Sequence, residues 1–282
     1  MLRISEIKLN LQKLWQSKLN LNRLEAESEI SWILNYITDL SNTEQIINSD
    51  YKLTESQNYK LEQIIDQRLN LKIPLQYILG EAYFMGLKLK VNQAVLIPRP
   101  ETETLVELAL NLLSSKTNLK ILEIGAGSGC ISIALAYFLQ TNIHIKSIDI
   151  CDKALNLAKE NAQLNKVNNY INFEKADLMS FTNNDNWDLL ISNPPYINTQ
   201  EYFELESEVL CEPKLALTGN NNESGLIYYE KIADLKLKSQ IILLELDSGR
   251  AEAIKQIFDL KSSLDFKIIK DLNNLPRFLL GI

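Results

Sequence analysis

Between residues 1 and about 75, apolar positions recur at spacings of three and four: Leu9, Leu11, Leu14, Leu19, Leu21 and Leu24, then Ile30, Trp32, Ile33 and Tyr36, among polar neighbours. That is the period of an amphipathic helix, and it predicts a small helical bundle with Trp15 and Trp32 in its core. Ser49–Asp50 and the TES at 54 to 56 read as helix starts, and Pro74 as the stop of the last helix. From Gly80 the rhythm shortens to alternation over EAYFMGLKLKVNQAVLIP, which predicts a β-hairpin linking the bundle to the rest of the chain. PRPETETLVELALNLL then opens a helix, with Pro100 near its first position and acids where the helix dipole favours them. Beyond it, strand and helix patterns alternate: KILEIG, CISIALAYFL, IHIKSID, KALNLAKENAQL, INFEKAD, WDLLISN, QIILLEL, AEAIKQIFDL, FKIIKD and PRFLLGI. Alternation of this kind predicts an α/β fold, a mainly parallel sheet covered by helices on both faces. The expected organisation is a helical domain over 1–75, a hairpin linker over 76–98 and an α/β domain over 99–282.

Composition narrows the function classes. The 46% hydrophobic content is ordinary for a globular protein of 282 residues, and a run such as Ile241 to Leu244 is far too short to span a bilayer. The first fifteen residues lack a continuous apolar signal core, so a soluble, unprocessed, cytoplasmic protein is expected. Cys130, Cys151 and Cys211 are odd in number and show no CxxC spacing, which fits a reducing compartment. A net charge of -7 provides no bulk attraction for phosphate backbones, so nucleic acid is not the first partner to expect. The single histidine, His144, lies in an alternating segment and reads as an ordinary strand residue; its isolation argues against a His-rich metal site and weakens any Ser/His triad.

Candidate chemistry begins in ILEIGAGSGC. A strand runs directly into Gly125, Gly127 and Gly129, and a helix comes next, in a chain with only nine glycines. Glycine removes the Cβ that would hold a ligand off the backbone, and the helix start offers free N–H groups. A dinucleotide fingerprint would require glycine at position 130, where this chain has Cys130. The G-x-G-x-G spacing, with Glu123 just before it, instead resembles the loop of S-adenosylmethionine-dependent methyltransferases. Asp149, at the next strand end and expected to be exposed there, would accept hydrogen bonds from both ribose hydroxyls. The resemblance puts contacts to the adenine ring at Asp177 and Leu178, where a third strand ends.

The run WDLLISNPPYIN then stops a buried strand at Asn193, on the same sheet edge as the glycine loop. Asn193 offers a carbonyl oxygen, Pro194 and Pro195 offer carbonyls on a stiff backbone, and Tyr196 a flat face. Together they suit a planar NH2 group. An amide or exocyclic amine is a poor nucleophile because its lone pair is delocalised, so acceptors that hold its hydrogens would orient the lone pair and favour charge developing on nitrogen.

GEAYFMGLKLKV, VLIPRPETE, LEIGAGSG, SNPPYI and the CEP at 211 to 213 occur in the order seen in the HemK/PrmC family, which the chain resembles over nearly its whole length. The resemblance implies a Rossmann-like class I methyltransferase domain with a mainly parallel seven-stranded sheet, behind a helical bundle that docks the substrate. It also implies an activity: methylation, by S-adenosyl-L-methionine, of the side-chain amide nitrogen of the glutamine in the Gly-Gly-Gln motif of peptide chain release factors. Carried over by position, Glu123, Gly125, Ala126, Gly127, Ser128, Gly129, Asp149, Asp177, Leu178 and Asn193 would contact cofactor. Asn193, Pro194, Pro195 and Tyr196 would hold the glutamine, with Asn193, Pro194 and Tyr196 catalytic. A monomer is expected, acting on a protein substrate without direct nucleic-acid or membrane contact. Alternatives are the sister activity on a ribosomal-protein glutamine, methylation of adenine or guanine amino groups, and cofactor binding without catalysis.

Overall fold

The computed structural model describes residues 2–139, 141–182, 185–220, 222–235 and 238–282. The chain divides into two compact units, 1–80 and 81–282.

The first unit is all helical: α1 (Ile4–Lys18), α2 (Arg23–Thr38), α3 (Asn42–Ile47), α4 (Glu55–Leu69) and α5 (Leu75–Leu79). Capping boxes set three of the starts. Asn22, Ser41 and Thr54 accept from the backbone three residues on, and Glu25, Glu44 and Gln57 return the bond. Of these, only the Thr54 start was read from the sequence. Ser49–Asp50 is a turn and starts no helix, because the residues after it leave helical geometry until Thr54 caps α4. Pro74 does not stop a long helix either; α4 has ended at Leu69, and Pro74 caps the short α5. Trp15 is fully buried, its indole N–H donating to Glu29 Oε2 at 2.7 Å, while Trp32 packs half-buried at the edge of the same core. Leu9, Leu24 and Tyr36 are exposed, so the apolar stripe is narrower than the leucine count suggests.

The second unit opens with the hairpin β1 (Glu81–Phe84) and β2 (Leu87–Lys90), joined by Met85 and Gly86, both at positive φ as a two-residue primed turn requires. Next in the chain are α6 (Pro100–Leu113), β3 (Leu119–Ile124), α7 (Cys130–Leu139), β4 (Ile143–Asp149), α8 (Asp152–Leu164), β5 (Ile171–Lys175), β6 (Asn186–Trp187) and β7 (Leu189–Ser192). The remainder comprises α9 (Lys214–Thr218), α10 (Ile227–Asp234), β8 (Lys238–Ser239), β9 (Ile242–Glu245), α11 (Ala251–Lys261), β10 (Phe266–Lys270) and β11 (Pro276–Gly281). A seven-stranded sheet runs in the order β10-β11-β9-β7-β3-β4-β5. All neighbours are parallel except β11, which is antiparallel to both β10 and β9.

Both faces of the sheet are covered. Ile121, Leu189, Ile191 and Leu243 pack against α6, α7 and α8, while Leu122, Leu190, Ile242 and Leu244 pack against α10 and α11. Burial on both sides is why the central strands read as continuous apolar runs. His144 lies on β4, an ordinary strand residue as expected, and faces outward. None of the three cysteines is joined in a disulfide, and among the described residues no helix is long and apolar enough to cross a membrane.

Candidate active site

From β3 the chain steps outward through β4 to β5, then returns to β7 on the other side of β3. That reversal leaves a crevice at the carboxyl ends of β3 and β7, where open α/β sheets bind ligands. A cavity of about 350 Å³ lies there, and every residue lining it belongs to the second unit. Most of the expected site residues converge on it: Glu123, Gly125, Ala126, Gly127 and Ser128 from β3 and its loop, Asp149 from β4, Asp177 and Leu178 from beyond β5, and Asn193, Pro194 and Pro195 from beyond β7.

The three loop glycines all have positive φ, at 84°, 52° and 83°. Their surroundings differ. A Cβ on Gly127 would meet nothing within 4 Å, whereas one on Gly129 would lie 3.0 Å from Ile133 Cδ1 and 3.2 Å from Ala158 Cβ. Gly127 therefore leaves room for a ligand, while Gly129 lets α8 pack close and does not line the cavity, contrary to its expected cofactor contact.

Asp149 Oδ2 accepts from the Gly127 N–H at 2.9 Å and Oδ1 from the Cys151 N–H at 2.8 Å. It is not the exposed strand-end acid the sequence suggests. Burial raises its carboxyl above the ordinary value, against the pull of these backbone bonds. Glu123 is buried deeper, accepting from the Ser132 and Ser147 hydroxyls on one oxygen; burial pushes it up to about 7. Its other oxygen, Oε1, is buried with no partner among the described residues, an unmet polar atom on a residue that lines the cavity. Asp177 sits exposed two residues after β5 ends, and Leu178 is buried in the core between the sheet and α10 and α11, the second core cluster, while also lining the cavity.

At the end of β7, Asn193 Nδ2 donates to Thr102 Oγ1 at 3.3 Å, and that hydroxyl donates to Glu245 Oε2 at 2.7 Å. Among the described residues none donates to Asn193 Oδ1 or to the Pro194 carbonyl, so both remain available as acceptors. The Pro195 carbonyl, expected to serve the substrate, instead accepts from the buried Asn222 at 3.2 Å. Tyr196 does not line the cavity. Its ring packs against the second core cluster, and burial, then the nearby Glu245, push its phenol up to about 12. The turn after two prolines sends this side chain inward, which residue type alone does not disclose.

Thr102, Glu245, Arg99, Glu212 and Asn222 had no role assigned from the sequence. Glu212, from CEP, is buried, pairs with the Arg99 guanidinium and accepts from the Ile97 N–H at 3.0 Å, locking CEP to IPRPETE. For Glu245 a signal existed: it is the acid near the end of the apolar run QIILLEL, closing β9 as Asp149 closes β4. Among the described residues no group of His, Cys, Asp or Glu could hold a metal ion.

Residues 102–222 match the family model described as methyltransferase small domain, and residues 10–80 match PrmC N-terminal domain. The release factor glutamine methyltransferase of Lactococcus lactis subsp. lactis (strain IL1403) is 40% identical over 243 residues, covering 84% of this chain and 87% of that protein. The one from Flavobacterium psychrophilum is 44% identical over 220 residues, covering 76% and 75%. Among solved structures, the hMettl16 catalytic domain superposes with a TM-score of 0.55 at 15% identity, over 81% of this chain and 82% of that one, which supports the Rossmann-like methyltransferase fold.

Proposed function

The chain belongs to the release factor glutamine methyltransferase family, and we propose that the cavity at the ends of β3, β4 and β7 is where it methylates the side-chain amide nitrogen, N5, of the Gly-Gly-Gln glutamine of peptide chain release factors. One observation carries this reading. Asn193 and Pro194, whose carbonyl acceptors take no donor among the described residues, line the same cavity as the glycine loop and Asp149.

The residues present fit S-adenosylmethionine. Gly127 clears space for it, Asp149 keeps lone pairs for ribose hydroxyls beyond those used by Gly127 and Cys151, Leu178 offers an apolar wall, and the unmet Glu123 oxygen suits a cationic or hydroxyl donor. When bound, that cofactor supplies an electrophilic methyl group on a sulfonium sulfur. This chain's own contribution is orientation. Asn193 Oδ1 and the Pro194 carbonyl would accept the two amide hydrogens of the glutamine, turning its nitrogen lone pair towards the methyl and favouring the charge that develops on nitrogen. Pro194 cannot donate a competing backbone hydrogen.

Residues 1–80 form a unit with its own core, which supports a role in docking the release factor. Incubation with methyl-labelled cofactor and purified release factors, followed by peptide mass mapping, tests the assignment. The label is expected on the motif glutamine and absent when that residue is changed to glutamate, which has no amide hydrogens to donate. Label entering a ribosomal protein, tRNA or DNA, with no release-factor glutamine modified, would overturn it.

A further inference from the structure

Asn193 can present either end of its carboxamide to a ligand, and the two ends do opposite things: the oxygen accepts hydrogen bonds and the NH2 donates them. Only the oxygen can hold an amide hydrogen. Three elements meet around the side chain to make that choice. Asn193 comes directly after β7, Thr102 lies in the first turn of α6, and Glu245 ends β9, one residue past the last ladder pair between Ser192 and Leu244.

Thr102 is 3% exposed and Glu245 2%, so water is largely excluded from satisfying either group. A threonine hydroxyl has a single hydrogen, here directed at Glu245 Oε2 at 2.7 Å. Towards Asn193 the same oxygen can then act only as acceptor, and only the NH2 end of the carboxamide satisfies it, at 3.3 Å. We propose that Thr102 and Glu245 are positioning residues that fix the orientation of the Asn193 carboxamide, presenting its oxygen to the substrate amide. The inference rests on the reading of Asn193 as the residue that holds the glutamine.

The chain of bonds has a polarity that one proton reverses. With Glu245 protonated, its O–H is available to donate to Thr102, the threonine hydrogen turns to Asn193, and the carboxamide must flip to accept it, offering NH2 where the substrate needs an acceptor. Burial pushes Glu245 up to about 7. The charged and titratable groups acting on it are Arg277 of β11, Glu101 and Arg99 at the start of α6, Tyr196, Tyr229 of α10 and Cys130 of α7.

The test compares Asn193→Ala, Thr102→Val, Thr102→Ser and Glu245→Gln by release-factor methylation kinetics, with calorimetric cofactor affinity measured in parallel. Thr102→Val is expected to lower kcat by about tenfold or more while cofactor affinity stays within about twofold, and Thr102→Ser to restore turnover. In the Asn193→Ala background, Thr102→Val should add no further loss, since the group it orients is gone. Glu245→Gln offers Thr102 an acceptor that does not titrate, so the acid-side fall in turnover near pH 7 should disappear. Should Thr102→Val fold poorly because it strands a buried carboxylate, the paired Thr102→Val/Glu245→Leu variant buries no unmatched charge and is expected to show the same kcat loss. If either folded variant turned over within about twofold of the parent while Asn193→Ala was inactive, the positioning role would be wrong and the reading of Asn193 would stand. Unchanged turnover in Asn193→Ala would overturn both.

Discussion

In the proposed reading, the side chain of Asp149 serves the loop and the ligand together. Its two oxygens accept from Gly127 and Cys151, so it fastens the glycine loop to the start of α8 before any cofactor arrives. Charge-assisted bonds of this kind contribute about 1.5–3 kcal/mol each. Asp149→Ala is therefore expected to weaken S-adenosylmethionine binding by about a hundredfold or more and, in addition, to lower the unfolding free energy by about 1–3 kcal/mol. Calorimetric titration and urea denaturation measure the two effects separately. A loss of affinity with no loss of stability would mean that the backbone bonds to Asp149 contribute nothing to holding the loop.

Among the elements, α8 has an unusual task for a helix on the flank of a sheet. Its Asn161, fully buried, accepts from the Lys90 N–H at 2.7 Å and donates to the Lys90 and Ser128 carbonyls, each at 2.9 Å. One carboxamide thus ties β2 of the hairpin to the glycine loop, which makes the hairpin part of the α/β unit in its contacts. Asn161→Ala leaves three backbone groups without that partner, the Ser128 carbonyl in a buried place and those of Lys90 part-buried, and unfolding in urea is expected to show a loss of about 1–3 kcal/mol. The conservative Asn161→Asp keeps the acceptor and loses both donors, so it should not rescue. Gly129 acts on the same face of that helix, one turn away, by having no Cβ to press on Ala158.

For the whole molecule, two buried carboxyls set a stability that depends on pH. Burial pushes both Glu123 and Glu245 from 4.5 up to about 7. A group with a raised folded pKa binds more protons in the native state, so its contribution is complete below 4.5 and is lost as pH rises through about 7. The size is on the order of 3 kcal/mol for each. Thermal unfolding of the cofactor-free protein should accordingly fall in midpoint from about pH 5 to about pH 8, and Glu123→Gln should flatten that slope. A slope identical in both proteins would place the titration elsewhere. At the same scale, the fragment 81–282 is expected to keep cofactor affinity, because it contains every cavity-lining residue, yet to methylate an intact release factor poorly without residues 1–80. Equal turnover by fragment and full chain would remove the docking role of the helical unit.

Local pattern alone was enough for the helical period of the first unit, the alternation that makes a parallel sheet, the glycine loop and the NPPY terminus, since each is written in runs of neighbouring residues, singly or in series. Solvent exposure of individual leucines was not, because Leu9 and Leu24 carry the same apolar character as Leu11 and differ only in what lies opposite. The orientation of Tyr196, the capture of the Pro195 carbonyl by Asn222 and the packing duty of Gly129 were likewise decided by folding. Most of all, the bonds that orient the site join residues far apart in the chain: Asn193 to Thr102 across 91 positions, Arg99 to Glu212 across 113 and Thr102 to Glu245 across 143. No local pattern announces such partners. A buried polar group must find its match wherever the sheet order and the helix packing bring one, and only the closed tertiary structure makes that assignment.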